Sequence, residues 1–327
     1  MKKGKLLTLL PFMALTLAGC GLNPKSSFSF DENKMFNVGV CQIVAHPALD
    51  KATEGFKKAV EEGLGKDKVT FDVQEAAGEP ATCATICNSF VSKKVDLIMA
   101  NATPALQAAA NSTLEIPILG TSVTEYGVAL SIDNFSGTVG GNISGTSDLA
   151  PLDKQADMVK EFVPNAKNVG LLFCSAEANS LYQVDTVESC LKAQNINTKR
   201  ISFSESNELQ TVLAGNIAGL DALYIPTDNV CAQNTSIIDS ICRPAKLPVI
   251  CGEESLCAGC GIATLSIDYF ALGVKTGEMA LEILKEGKDI STMPIGYDNN
   301  PTKKFNKAIC QDLNITVPDG YVEIVVE

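Results

Sequence analysis

The 327 residues carry 26 Lys and Arg against 38 Asp and Glu, a formal charge of −12, and the basic residues form no cluster that would grip a phosphate backbone. Nucleic acid is therefore not expected as a partner. Apolar residues make up 46% of the chain, enough for two ordinary domains that each bury a core. Beyond the N-terminal segment, no apolar run approaches the length needed to cross a bilayer.

Lys2, Lys3 and Lys5 precede an apolar run from Leu6 to Leu17. A basic head, an apolar stretch below the ~20 residues of a membrane span and a small-residue exit describe a secretory signal over residues 1–19. Leu17-Ala18-Gly19-Cys20 at the exit resembles a bacterial lipobox, which implies cleavage before Cys20 and diacylglyceryl attachment to its sulfur. Residues 20–35 are polar and Ser-rich, a tether between lipid and soluble body. Loss of the three leader lysines takes the charge from −12 to −15.

From Phe36 strands and helices alternate. Phe36 to Val44 reads as a strand, with His46-Pro47-Ala48-Leu49-Asp50 turning into a helix to about Leu64; His46, the one histidine, is expected to shape that turn rather than to bind. Val69 to Gln74 is a strand and Ala81 to Lys93 a helix. Asp96 to Ala100 is a short buried strand, Asn101-Ala102-Thr103-Pro104 a polar turn, and Ala105 opens a helix with Pro in its first turn. Such a turn offers backbone N–H groups and the Thr103 hydroxyl at the positive end of a helix, a seat for small polar or anionic groups. Pro117 to Gly120 is the next strand, ending in Thr121-Ser122-Val123-Thr124. At Ser136 to Pro151 the periodicity breaks and glycines cluster, marking a crossing into a second unit.

The second unit repeats the first. Asn37-Val38-Gly39-Val40 is echoed by Asn168-Val169-Gly170-Leu171, and Ile116-Pro117-Ile118 by Leu247-Pro248-Val249, both 131 positions later. Ser131-Ile132-Asp133 finds an echo in Ser266-Ile267-Asp268, and the strand–turn–helix seat recurs from Asp221 through Pro226-Thr227-Asp228-Asn229. Similar segments in one order at a nearly constant offset point to two βαβ lobes of one design. The expected fold is α/β, two doubly wound parallel sheets joined by a hinge. Lobe 1 is expected over 36–145 plus 266–295, with the amphipathic helix Ala271 to Glu286 packed on it, and lobe 2 over 146–265 plus 296–327. Three crossings give a hinge, and the cleft between the lobes can close on a ligand.

Twelve cysteines, eleven without Cys20, are an odd number for a disulfide framework. Cys257-Ala-Gly-Cys260 has CxxC spacing, but no second CxxC or His pair lies near it and it is read as part of a Gly-rich connection. Zinc and redox roles are therefore not expected. The cysteines are expected to be mostly small buried hydrophobes, with a local disulfide around Cys251, Cys257 and Cys260 as the alternative.

Six blocks together resemble the signature of ABC-transporter substrate-binding proteins of the tryptophan/tyrosine type: Gln42 to Asp50, Ala102-Thr103-Pro104, Ser144 to Leu149, Glu177-Ala178-Asn179-Ser180, Pro226 to Asn229 and Gly252-Glu253-Glu254. The resemblance covers the chain from about Phe36 to Pro318, with the six blocks in order. The resemblance implies a periplasmic-binding-protein type I fold, no cofactor, and a monomer. It also implies a lipid-held protein on the outer face of the bacterial cell membrane, delivering an aromatic amino acid to a permease and its ATPase. The chain has no tryptophan, so stacking on an aromatic ligand falls to Phe, Tyr or a peptide face.

An amino-acid zwitterion needs donors for its carboxylate and an acceptor for its ammonium. Thr103, Asn179 and Ser180, at expected helix starts, suit the carboxylate, and Asp228 suits the ammonium. Gln42, Thr121 and Glu253 occupy equivalent loops and could read the side chain or bridge the closed lobes; Asp148, at the crossing, could touch the ligand or fix the hinge. Asn229 follows Asp228 in its block and is counted with the site. Helix capping is the competing role for each Ser, Thr and Asn. Enzymatic motifs are missing: no GxSxG elbow, no GxxxxGK[ST] loop and no triad around one histidine. The carboxylates Glu253, Glu254 and Asp228 are explained by binding without chemistry, so catalytic and metal residues are not assigned. A surface adhesion or sensor lipoprotein on the same fold is the second reading.

Overall fold

A computed structural model describes residues 30–298 and 300–325; the leader and Cys20 lie outside them. Among the described residues, six of thirteen strands are drawn into one sheet and seven into the other, and both sheets are covered by helices. The first contains β1 Phe36–Gln42, β2 Val69–Glu75, β3 Leu97–Asn101, β4 Ile118–Val123 and β5 Ile143–Ser147. The second contains β6 Asn168–Cys174, β7 Asn197–Phe203, β8 Ala222–Ile225, β9 Val249–Cys251 and β10 Ala263–Ser266. The chain then returns to the first sheet for β11 Gly296–Tyr297 and to the second for β12 Thr302–Phe305 and β13 Val322–Glu323. The orders are β11-β5-β4-β3-β1-β2 and β13-β12-β10-β9-β8-β6-β7, with all pairs parallel except β10 with β12. Central strands such as β3 and β8 are buried at every position, as expected where helices cover both faces of a parallel sheet.

Three crossings join the lobes: Asp148 to Ala150 after β5, Ile267 and Asp268 after β10, and the segment after β11. The expected lobe limits at 145, 265 and 295 thus fall beside strands that run to Ser147, Ser266 and Tyr297. The helix Tyr269–Leu284, which follows a second-lobe strand, packs along the helix Pro47–Leu64 of the first lobe. Gly273 makes that approach possible, because a Cβ there would overlap the Ala52 backbone. Small residues at this seam bring the helices close and fix where the second crossing re-enters the first lobe.

Two local features differ from the sequence reading. Cys257 and Cys260 lie in a helix, Glu254–Cys260, opened by the Glu253 side chain, which accepts from the Ser255 and Leu256 N–H groups. The buried face of Leu256, Cys257 and Cys260 explains the spacing as helical periodicity rather than a Gly-rich connection. Among the described residues the eleven cysteines are free thiols, Cys251, Cys257 and Cys260 included, so no local disulfide staples this segment. Second, β4 is irregular: its register with β5 shifts between Gly120 and Val123, and Ser122 sits at φ 53°. A left-handed residue inside a strand is a bulge that re-aims side chains.

Candidate functional site

The strand-to-helix loops of both lobes meet around a narrow, partly open cavity with a volume of about 10 Å3, roughly the space of one water. The first lobe contributes His46, Leu49, Ser122 and Thr124; the second contributes Asn179, Thr227, Asp228, Asn229, Ala232 and Glu253. The crossings contribute Asp148 and Tyr269. No Lys or Arg is among these lining residues, so the cavity is acidic.

Asp148 stands where the chain leaves β5. Its Oδ2 accepts from the Tyr269 hydroxyl at 3.0 Å, tying the first crossing to the second, while its Oδ1 is buried without a partner. Burial pushes its carboxyl up to about 6, with the Tyr269 and Thr124 hydroxyls opposing and nearby Glu253 adding to the rise. Asn179, in the first turn of the helix Ala178–Ala193, donates through Nδ2 to Glu177 Oε2 at 3.1 Å and to the Thr227 carbonyl at 3.0 Å. Those two acceptors fix the amide orientation and leave Oδ1 buried and unpartnered. The Ser122 hydroxyl and His46 Nδ1 are likewise buried without partners. Native interiors pair nearly all such atoms, so four orphans lining one cavity mark a place that expects polar company.

The remaining carboxylates are occupied. Asp228 accepts backbone N–H bonds on both oxygens, from Cys174 at 2.7 Å and Cys231 at 2.8 Å, which joins the end of β6 to the helix Asn229–Gln233. Glu253 caps its helix through Ser255 and Leu256, and burial raises its pKa. Glu177, behind the lining, accepts from Asn179 Nδ2, Asn229 Nδ2, Asn229 N and Val230 N. Burial first, and then Asp228, push Glu177 up to about 8, against the pull of those donors.

Of the residues expected from sequence, the cavity brings together Asp148, Asn179, Asp228, Asn229 and Glu253. Four others lie outside its lining. Gln42 is buried beneath the first loop, donating to the Val44 carbonyl and Asp50 and accepting from Thr53 and Asn101. The Thr121 hydroxyl sits in a cluster with Thr146 and Thr276 that fastens β4 and β5 to the helix Tyr269–Leu284. Ser180 is buried beside Asn179, and Thr103, buried at its helix start, keeps an unpartnered hydroxyl away from the lining. Ser122 lines the cavity where Thr121 was expected because of the β4 bulge. Sequence reasoning also passed over Tyr269, and His46, expected there only to shape its turn, lines the cavity.

A narrow, acidic cavity between two hinged α/β lobes, with polar groups facing in from both, suits the charged end of a small ligand that carries a cation. The family model for ABC transporter substrate-binding proteins matches residues 37–325. The chain belongs to that family. It is 38% identical over 289 residues to a tyrosine-binding protein of Clostridioides difficile strain R20291, covering 85% of this chain and 82% of that one. Its fold matches a Streptococcus pneumonia ABC domain solved in complex with L-Trp, with TM-score 0.85 and 28% identity over 89% of this chain and all of that one. Against the ligand-free, open structure of a Clostridium difficile substrate-binding protein with adhesive properties, the TM-score is 0.67 at 35% identity, over 88% and 99% of the two chains. The better match to the complex, despite lower identity, agrees with lobes that touch across the cavity. Substrate-binding proteins of ABC transporters work outside the cytoplasm, and among the described residues no helix is long and apolar enough to cross a membrane.

Proposed function

We propose that this protein is the lipid-anchored receptor of an ABC importer for an aromatic amino acid, capturing it between the lobes without chemical turnover and presenting the closed form to a permease and its ATPase. The observation that carries this reading is the buried, unpartnered Oδ1 of Asp148. It lies in a cavity whose other orphaned atoms come from both lobes. An ammonium at Asp148 gains a charge-assisted hydrogen bond out of water, and a carboxylate finds a free hydroxyl donor at Ser122. The Tyr269 ring, Leu49 and Ala232 offer apolar surface to the ligand side chain. Asp228, with both oxygens on backbone N–H groups, serves to hold the second-lobe loops. The tyrosine-binding relative and the L-Trp complex support the ligand class. Cys20 supplies the anchor, as its lipobox-like setting implies.

Ligand that binds only the native state raises the unfolding midpoint with its concentration. In a thermal-shift screen of the leaderless protein against amino acids, nucleosides and sugars, the expected result is a rise confined to Tyr, Trp and Phe. A rise with other classes alone would reject the ligand assignment. The relative with adhesive properties favours one second reading, a surface adhesin on the same fold. Binding to host-cell surfaces that survives loss of amino-acid binding would support it.

A further inference from the structure

We infer that His46 is a ligand-contacting latch, held as the Nε2–H tautomer by a relay from the opposite lobe so that its Nδ1 lone pair faces the ligand. The inference rests on the amino-acid reading above and deepens it by naming the residue through which one lobe senses the other. Asn179, Asn229 and Val230 all present N–H groups to the Glu177 carboxyl. Asn229 Nδ2, donating to Glu177 at 2.7 Å, is thereby identified as the nitrogen, which leaves Asn229 Oδ1 as an acceptor. That oxygen is 3.4 Å from His46 Nε2 across the cleft. An acceptor opposite Nε2 selects the tautomer that carries its proton there. Nδ1 is then a lone pair, buried, unpartnered, and on a ring that lines the cavity. A ligand ammonium, hydroxyl or indole N–H could donate to it, completing a chain from ligand to His46, Asn229 and Glu177.

Only the neutral ring can accept. Burial lowers the His46 pKa, opposed by Asn229 and by Asp50 on its own helix. Asp148, Asp228 and Glu253 face the same cavity from the crossing and the second lobe. The folded pKa lies below the ordinary histidine value, so the latch is intact at neutral pH and is lost as acidification protonates the ring. His46 also makes no side-chain cap to its helix, so replacing it removes the relay without removing a cap.

The test is calorimetric titration of the amino-acid panel into wild type, His46→Ala, His46→Gln and Asn229→Ala, with each variant's thermal midpoint recorded. His46 nitrogen NMR signals, from a single histidine, are followed during the wild-type titration. The expected result is at least tenfold weaker binding for His46→Ala, a double-mutant cycle with Asn229→Ala that is far from additive, and a wild-type ring fixed as Nε2–H on saturation. Wild-type affinity should fall below neutral pH by more than that of His46→Gln. Unchanged affinity in the His46 variants, or a ring in the Nδ1–H tautomer at saturation, would overturn the inference even if aromatic amino acids bind. If a different amino acid binds and the ring responds as described, the latch stands and the aromatic assignment falls. A wild type that binds no amino acid would overturn both.

Discussion

Replacing Asp148 by Asn should stabilise the protein and weaken its ligand binding at once. Asp148 is 4% exposed and its carboxyl rises from an ordinary 3.8 to about 6, with burial as the main cause. A carboxyl whose folded pKa is raised favours the folded state below its unfolded value and loses that support as pH rises through the folded value. Here the loss falls between about pH 4 and pH 6, and the shift corresponds to about 3 kcal/mol. Asn keeps an acceptor for the Tyr269 hydroxyl and removes the charge. The ligand-free variant should therefore melt roughly 5 °C above wild type at pH 7.5, with the gap closing near pH 4.5. The same change deprives a ligand ammonium of its counter-charge, for a loss of about 1.5–3 kcal/mol, or roughly ten- to a hundredfold in affinity. Scanning calorimetry across pH and titration calorimetry at pH 7.5 measure the two effects. A variant that binds as tightly as wild type would refute the ammonium assignment; one less stable at pH 7.5 would refute the electrostatic reasoning.

Asp228→Ala should cost stability, because two buried backbone N–H groups at Cys174 and Cys231 lose their acceptor; the expected loss is about 1–3 kcal/mol in urea melts. Ser122→Ala removes a hydroxyl with no protein partner, so titration should show weaker amino-acid binding, by roughly tenfold, while the melting midpoint stays within a degree or two. Cys20→Ser in the full-length chain should move the protein from the membrane fraction to the soluble extracytoplasmic fraction, read by fractionation and immunoblot; retention in membranes would point to another anchor.

The duplicated lobes were legible because parallel strands buried on both faces leave unbroken apolar runs, and the echo of Asn37-Val38-Gly39 in Asn168-Val169-Gly170 marks equivalent strands in the two sheets. The loops that meet were legible too, since they follow from strand direction. Which side chain turns inward was not. The β4 bulge puts Ser122 into the cavity and leaves Thr121 to the threonine cluster, and nothing in Thr121-Ser122-Val123 announces a left-handed residue. A carboxylate read as a binding group also gives no sign of how many N–H donors folding will bring to it. Asp228 receives two and Asp148 Oδ1 receives none, a difference made by residues far away in sequence. The CxxC pair shows the reverse error, in which local glycines outweighed a helical period set by the Glu253 cap.

The most direct test of the central claim is a crystal structure of the leaderless chain grown with L-tyrosine. The ligand should lie between the lobes with its ammonium within hydrogen-bond distance of Asp148 Oδ1. A tyrosine bound outside this cavity, or one whose carboxylate faces Asp148, would contradict it.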